Sequence, residues 1–113
     1  MKTINPVLLE VMLEDDATVE VLDLRPRTEF QHDHIPGSHS LPAAEASPES
    51  VMFSRQLLPT EPLYLVSDSG GEALLSAKTL ERQGVDNLVV LSGGMRAWHQ
   101  HHLPTVCTEL GQD

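Results

Sequence analysis

The residues with the clearest potential for chemistry form one short polar loop at positions 67–72. The loop consists of Ser67, Asp68, Ser69, Gly70, Gly71 and Glu72. A glycine-containing loop at the start of a helix directs backbone N–H groups into one concavity, which favours anions. A serine hydroxyl needs a dedicated general base to act as a nucleophile, and the neighbouring Asp68 is expected to point away from it. The position of the loop thus indicates an active site, whereas its side chains do not.

Two predicted elements flank this loop. The apolar run Leu63–Val66 before it predicts a buried strand. After it, Leu74, Ala77 and Leu80 recur at near-helical spacing within 73–83, and Gly84 fits the position that follows a helix C-terminus. A buried strand followed by a turn and a helix is typical of an α/β domain.

The rest of the chain also alternates between helices and strands. Helices are predicted to begin at Asn5-Pro6, at Thr28, at Ser47-Pro48 and at about Met95, and strands to span 19–24, 40–42 and 87–91. Such alternation implies a mostly parallel sheet with helices on both faces. The 113 residues suit one domain covering 1–113, with a loosely ordered tail from about 104 to 113.

The charge of the chain narrows its range of partners. Seventeen acidic residues against seven basic ones give a formal charge of −10, which argues against nucleic acids and anionic membranes because both need basic patches. No apolar run approaches the roughly 18 residues of a membrane span, and the first five residues lack the apolar core of a signal peptide. Cys107 is the single cysteine, so no intrachain disulfide can form. These features favour a cytoplasmic location.

Histidines raise the question of a metal site. His32 and His34 flank Asp33, and His99, His101 and His102 follow Trp98. On a helix, His99 and His102 could share a face, and neutral imidazole suits zinc or nickel. The alternative is a solvated helix end without fixed ligand geometry. Because no cysteine or acidic residue completes a recognisable metal spacing, we predict no metal site.

Several passages together resemble one family, the rhodanese-like domains. The first half contains Asp23-Leu24-Arg25, then Glu29-Phe30, then the turn at 34–38. The second half contains the Gly-Gly-x-x-x-Trp passage at 91–98, followed by Leu103-Pro104. The match covers nearly the whole chain, and the order and spacing of the motifs make it specific. The resemblance implies an α/β fold with a central, mostly parallel five-stranded sheet and helices on both faces.

The resemblance also implies that loop 67–72 is the active-site loop. In active members a cysteine takes a sulfane sulfur from a donor such as thiosulfate, holds it as a persulfide and passes it to cyanide or another thiophile. The family loop is typically Cys-x-x-Gly-x-Arg followed by Ser or Thr. In this chain Ser67 stands at the cysteine position, Gly70 matches the glycine, Glu72 stands at the arginine position and Ala73 at the Ser or Thr position.

These departures predict a protein that does not catalyse sulfur transfer. Serine cannot form a persulfide, and Glu72 replaces a fork of cationic donors with a negative charge. With Asp68, the loop carries two acids, which disfavours thiosulfate or phosphate. We therefore expect a binding or regulatory module that uses no cofactor and binds an unknown protein partner, or a small neutral or cationic ligand, around the loop.

Alternatives remain open at the level of sequence. A sulfurtransferase could use an unrecognised thiol, for which Cys107 is the candidate, although no base or cation lies near it in the sequence. Ser67 could serve a hydrolase, or could be an engineered Cys-to-Ser change in an active enzyme, although the loss of the arginine favours natural loss of catalysis. By resemblance, Asp23, Arg25 and Trp98 are predicted to be structural.

Overall fold

The computed structural model describes residues 2–54 and 61–108. These residues contain a five-stranded sheet with the order β1-β5-β4-β2-β3. The strands are Lys2–Ile4 (β1), Glu20–Asp23 (β2), His39–Ser40 (β3), Leu63–Val66 (β4) and Leu88–Leu91 (β5). All neighbouring strands pair in parallel. The predicted α/β fold with a central parallel sheet is thus confirmed.

Five α-helices and one 3₁₀ turn complete the described ranges. The helices are Pro6–Asp15 (α1), Arg27–His32 (α2), Pro48–Ser54 (α3), Gly71–Arg82 (α4) and Gly94–Gln100 (α5), and the 3₁₀ turn spans Ala43–Glu45. As predicted, α1 is capped by Asn5, whose side-chain oxygen accepts the Leu8 N–H at 2.8 Å. Within the described ranges no helix has the length and apolarity that would let it cross a membrane.

Alternation along the strands divides the apolar core into two clusters, one on each face of the sheet. In β4, Leu63 and Leu65 belong to the cluster that includes Ala77 of α4 and Val51 of α3. Their neighbours Tyr64 and Val66 belong to the cluster formed with α1 and α5. All four β4 residues are buried, which makes this strand the centre of the fold and fixes the position of the loop that follows it.

Four local features differ from the prediction. The pattern missed β1, which has one buried residue in three and depends on pairing with β5. The second short strand is His39–Ser40 rather than 40–42. Helix α2 begins at Arg27 because the Pro26 carbonyl accepts the Glu29 and Phe30 N–H groups, so Thr28 lies inside the first turn and does not cap it.

The fourth difference concerns the expected loose tail. Val106 pairs with His34 in an antiparallel bridge, with both backbone hydrogen bonds at 2.9 Å. The Thr108 N–H donates to the Gln31 carbonyl at 3.0 Å. Residues 104–108 are therefore attached to the end of α2, because their backbone groups find partners there. Positions 109–113 of the predicted tail, and the Leu57-Leu58 pair, lie outside the described residues.

Candidate functional site

The loop at 67–72 lies where the central strand passes into α4. Strand β4 ends at Val66, Ser67 follows, and α4 begins at Gly71. Gly70 turns the chain into the helix with a φ of +99°, a left-handed conformation that glycine adopts without steric cost. A β-carbon at Gly70 would also lie 3.2 Å from the backbone nitrogen of Gly93. The loop is thus shaped by a close backbone contact as well as by its own turn.

Ser67 is buried under this loop. It is 1% exposed, and its Oγ accepts the N–H groups of Gly70 and Ala73, each at 3.1 Å. The hydroxyl therefore satisfies two backbone donors at the start of α4 that the helix cannot satisfy itself. No carboxylate or imidazole of the described residues hydrogen-bonds to Ser67 Oγ. In this arrangement the side chain stabilises the loop, and none of the described side chains is hydrogen-bonded to it as a general base would be.

The start of α5 forms the other wall of the loop. The N–H groups of Met95 and Arg96 donate to the carbonyls of Ser67 and Asp68, both at 2.9 Å. This approach requires glycine at 94, because a β-carbon on Gly94 would overlap the Ser67 carbonyl oxygen and lie 2.7 Å from that of Asp68. The Gly93-Gly94 turn and the loop therefore form one packed unit.

The rim of the loop includes a cation that sequence reasoning missed. Arg96 Nε lies 3.3 Å from Asp68 Oδ2, and both side chains are largely exposed. Glu72, in the first turn of α4, is also exposed. Among the described residues, the rim thus includes the cation of Arg96 beside the acids Asp68 and Glu72, whereas the sequence predicted only the two acids. The available signal was the position of Arg96, two residues after the glycine whose turn packs on the loop.

Asp23 and Arg25 form a buried ion pair beside the loop. They are 1% and 4% exposed, and Arg25 Nη2 lies 2.8 Å from Asp23 Oδ2. Arg25 Nη2 also donates to the backbone carbonyl of Asp33 at 2.6 Å. Burial alone lowers the pKa of Arg25, but hydrogen bonds and attraction from Asp23 and Asp33 raise it above its ordinary value. This pair joins β2 to the end of α2.

The histidines occupy separate positions. His34 is buried, with Nδ1 2.7 Å from the Phe30 carbonyl. His99 Nε2 lies 2.5 Å from Asp33 Oδ2. His102 follows the end of α5 with a φ of +55°, so it does not continue the helical spacing from His99. In the part of the chain that the structure describes, no three His, Cys, Asp or Glu side chains are grouped to hold a metal ion.

Trp98 and Cys107 lie in different environments. Trp98 is fully buried, and its indole N–H donates to the Pro104 carbonyl at 2.9 Å. Cys107 is exposed on the segment that pairs with the end of α2, next to Val106. The structure therefore places Trp98 in the core and leaves the only thiol of the chain on the surface.

Comparison with known proteins connects this arrangement to a family. A family model described as "Rhodanese-like domain" matches residues 5–101. An uncharacterised protein of Synechocystis is 34% identical over 108 residues, which cover 95% of this chain and 57% of that protein. The thiosulfate sulfurtransferase GlpE of Shewanella oneidensis is 29% identical over 90 residues, which cover 80% of this chain and 85% of that protein.

Solved structures agree on the fold. The rhodanese-like domain of the Anabaena Alr3790 protein superimposes with a TM-score of 0.80 at 20% identity, covering 95% of this chain and 80% of that one. This chain spans little more than half of the Synechocystis relative, at 57% of its length. The match to the family model over 5–101, together with the parallel sheet and its strand–loop–helix junction, shows that this chain belongs to the rhodanese-like domain family.

Proposed function

We propose that this chain is a rhodanese-like module that does not transfer sulfur and acts as a binding or regulatory module. The observation that carries the proposal is the burial and the backbone hydrogen bonding of the Ser67 hydroxyl. Ser67 heads the loop after β4, and its buried Oγ accepts two backbone N–H groups. The resemblance to the family assigns this position to the cysteine of active members. The same donors would stabilise a thiolate in an active member.

Sulfur transfer through this position fails on chemical grounds. The family intermediate is a persulfide, which requires a sulfur–sulfur bond that an oxygen atom cannot supply. A serine hydroxyl ionises far less readily than a thiol, so two N–H donors do not make it a nucleophile without a base. Within the described residues, the hydrogen-bond partners of Ser67 Oγ are backbone N–H groups and not side chains. This supports the proposed loss of sulfur transfer.

The rim charges support the same proposal. Glu72 occupies the position at which the family places an arginine, so a donor such as thiosulfate meets a carboxylate there and not a cationic fork. The neighbouring Arg96 is paired with Asp68 at 3.3 Å. The sum over these three side chains is one negative charge, which favours a neutral or cationic ligand, or a protein partner, over an anion.

A thiosulfate-to-cyanide assay tests the proposal. We expect no turnover from the unmodified protein, and none from Ser67→Cys, because Glu72 repels the anionic donor. The double variant Ser67→Cys/Glu72→Arg should gain measurable thiocyanate formation. Cys107→Ser is the matched control, since it removes the only native thiol and leaves the loop intact.

Two outcomes would contradict this reasoning. Turnover by the unmodified protein that disappears in Cys107→Ser would identify the surface thiol as a sulfur carrier. Full turnover by Ser67→Cys alone would show that the charge of Glu72 does not exclude the donor, and that a single atom separates this chain from an active sulfurtransferase.

A further inference from the structure

A cavity of about 380 Å³ lies on the α1–α5 face of the sheet, and none of the residues 67–72 contributes to it. Its walls are largely apolar and include Leu13, Val19, Pro36 and Pro104, with Trp98 beneath them. This size is within the range of pockets that hold small molecules or single side chains. The cavity is therefore large enough, and apolar enough, to take a long side chain from another molecule.

The rim of the cavity is acidic. Glu10 and Glu14 are one helical turn apart on α1, and no lysine or arginine among residues 2–54 and 61–108 lines the cavity. The sequence contains no basic residue between Lys2 and Arg25. The pKa of Glu10 is raised above its ordinary value, because its side chain shares a hydrogen bond with Glu14, with further contributions from desolvation and from repulsion by that neighbour.

The helix itself adds to this unbalanced charge. Glu14 lies in the last turn of α1, where no basic residue is present, although the partial negative charge of a helix C-terminus favours cations. A bound cation would interact favourably with both carboxylates and with the helix end. A bare ion would leave the apolar walls unused, whereas the side chain of arginine or lysine combines a methylene stem with a terminal charge.

We propose that this cavity binds a basic, amphipathic peptide segment of a partner protein, with an arginine or lysine stem against the apolar walls and its charge between Glu10 and Glu14. Ala17, which also lines the cavity, precedes β2, whereas the 67–72 loop follows β4. Because β2 and β4 are parallel, this site and the loop lie toward opposite ends of the sheet. The site is independent of whether the loop has lost catalysis.

The single tryptophan of the chain provides a local reporter for this proposal. The Trp98 indole N–H donates to Pro104, and both residues line the cavity. Its cross-peak in a ¹⁵N–¹H spectrum should shift saturably on titration with a hexapeptide of alternating leucine and arginine. A hexapeptide of alternating leucine and glutamate should cause no shift.

Two paired variants separate a local site from general attraction to an acidic protein. Glu10→Gln/Glu14→Gln should weaken binding of the basic peptide by about tenfold, as expected for the loss of two partly exposed ion pairs. Glu49→Gln/Glu81→Gln changes the net charge equally at exposed positions outside the cavity, and should bind within twofold of the unmodified protein. Ala17→Phe should block the cavity without changing any charge and without adding a second indole signal.

The proposal is overturned by any of three results. The two paired variants could weaken binding equally, the Glu10→Gln/Glu14→Gln variant could bind normally, or the basic peptide could bind without moving the Trp98 signal. Thermal melting of each variant verifies that it remains folded, so that a loss of binding cannot be caused by unfolding.

Discussion

Replacing Gly94 with alanine should destabilise the protein more than the same replacement at a glycine whose added β-carbon would meet no other atom. Gly94 has a φ of +58°, and the added β-carbon would overlap the Ser67 carbonyl oxygen and lie 2.7 Å from that of Asp68. Both obstacles are backbone atoms, which cannot rotate away. To make room, α5 must move from the loop and lengthen the bonds from the Met95 and Arg96 N–H groups, now 2.9 Å each.

The magnitude follows from these terms. Holding alanine in the left-handed region costs about 1 kcal/mol, and each weakened backbone hydrogen bond costs about 1 kcal/mol. A loss of about 3 kcal/mol in the free energy of unfolding is therefore expected. For a domain of this size that corresponds to a fall in Tm of about 12 °C or more. Urea denaturation followed by circular dichroism measures the free energy directly.

Gly84→Ala provides the matched control for this prediction. Gly84 also has a positive φ, of +97°, but nothing lies within 4 Å of an added β-carbon. Only the conformational cost, about 1 kcal/mol, should appear there. If the two alanine variants unfold at the same urea concentration, the close approach between α5 and the loop contributes nothing to stability and the reasoning is refuted.

Three further measurements test other parts of the structure. Ser67→Ala should cost about 1–2 kcal/mol, because it leaves two N–H donors without their acceptor, whereas the exposed Ser69→Ala should change stability by less than about 0.5 kcal/mol. Arg25→Ala should cost about 3–5 kcal/mol by leaving the buried carboxylate of Asp23 unpaired. Arg27→Ala removes an exposed ion pair with Glu45 and an exposed 3.5 Å hydrogen bond to Ser40, and should cost less than about 1 kcal/mol. Equal losses in the two variants would contradict the burial argument. Burial raises the pKa of Tyr64, the single tyrosine, so the absorbance of the folded protein at 295 nm should titrate with a midpoint above pH 10. The free energy of unfolding that this tyrosine contributes is present below about pH 10 and should decline as the pH rises through the folded-state pKa. An absorbance midpoint at or below pH 10 would contradict the prediction.

The centre of the fold could be read from the sequence because its signals are local. The run Leu63–Val66, the glycine turn and the apolar spacing of α4 each indicate one conformation, and they agree with one another. The helix start at Asn5 is equally local, since a capping side chain acts three residues away.

The features that were missed depend on partners distant in the sequence. Strand β1 has too few apolar residues to produce a periodicity, and it becomes a strand only because β5 provides an edge. The pairing of Arg96 with Asp68 joins residues 28 positions apart, and the attachment of Val106 to His34 joins residues 72 positions apart. No spacing rule predicts such contacts, because they arise only after the sheet has brought the elements together.

The pairing of β1 with β5 also sets the order in which this protein can fold. Lys2 to Ile4 lie beside Val89 to Leu91 in the finished sheet, so β1 leaves the ribosome before β5 and must wait for it. Because contacts between distant residues form slowly, we expect β1 to pair with β5, and α1 to pack against α5, in the final step of folding. A chain interrupted before β5 would leave α1 without α5, and the apolar surface between them would be exposed to other chains during synthesis.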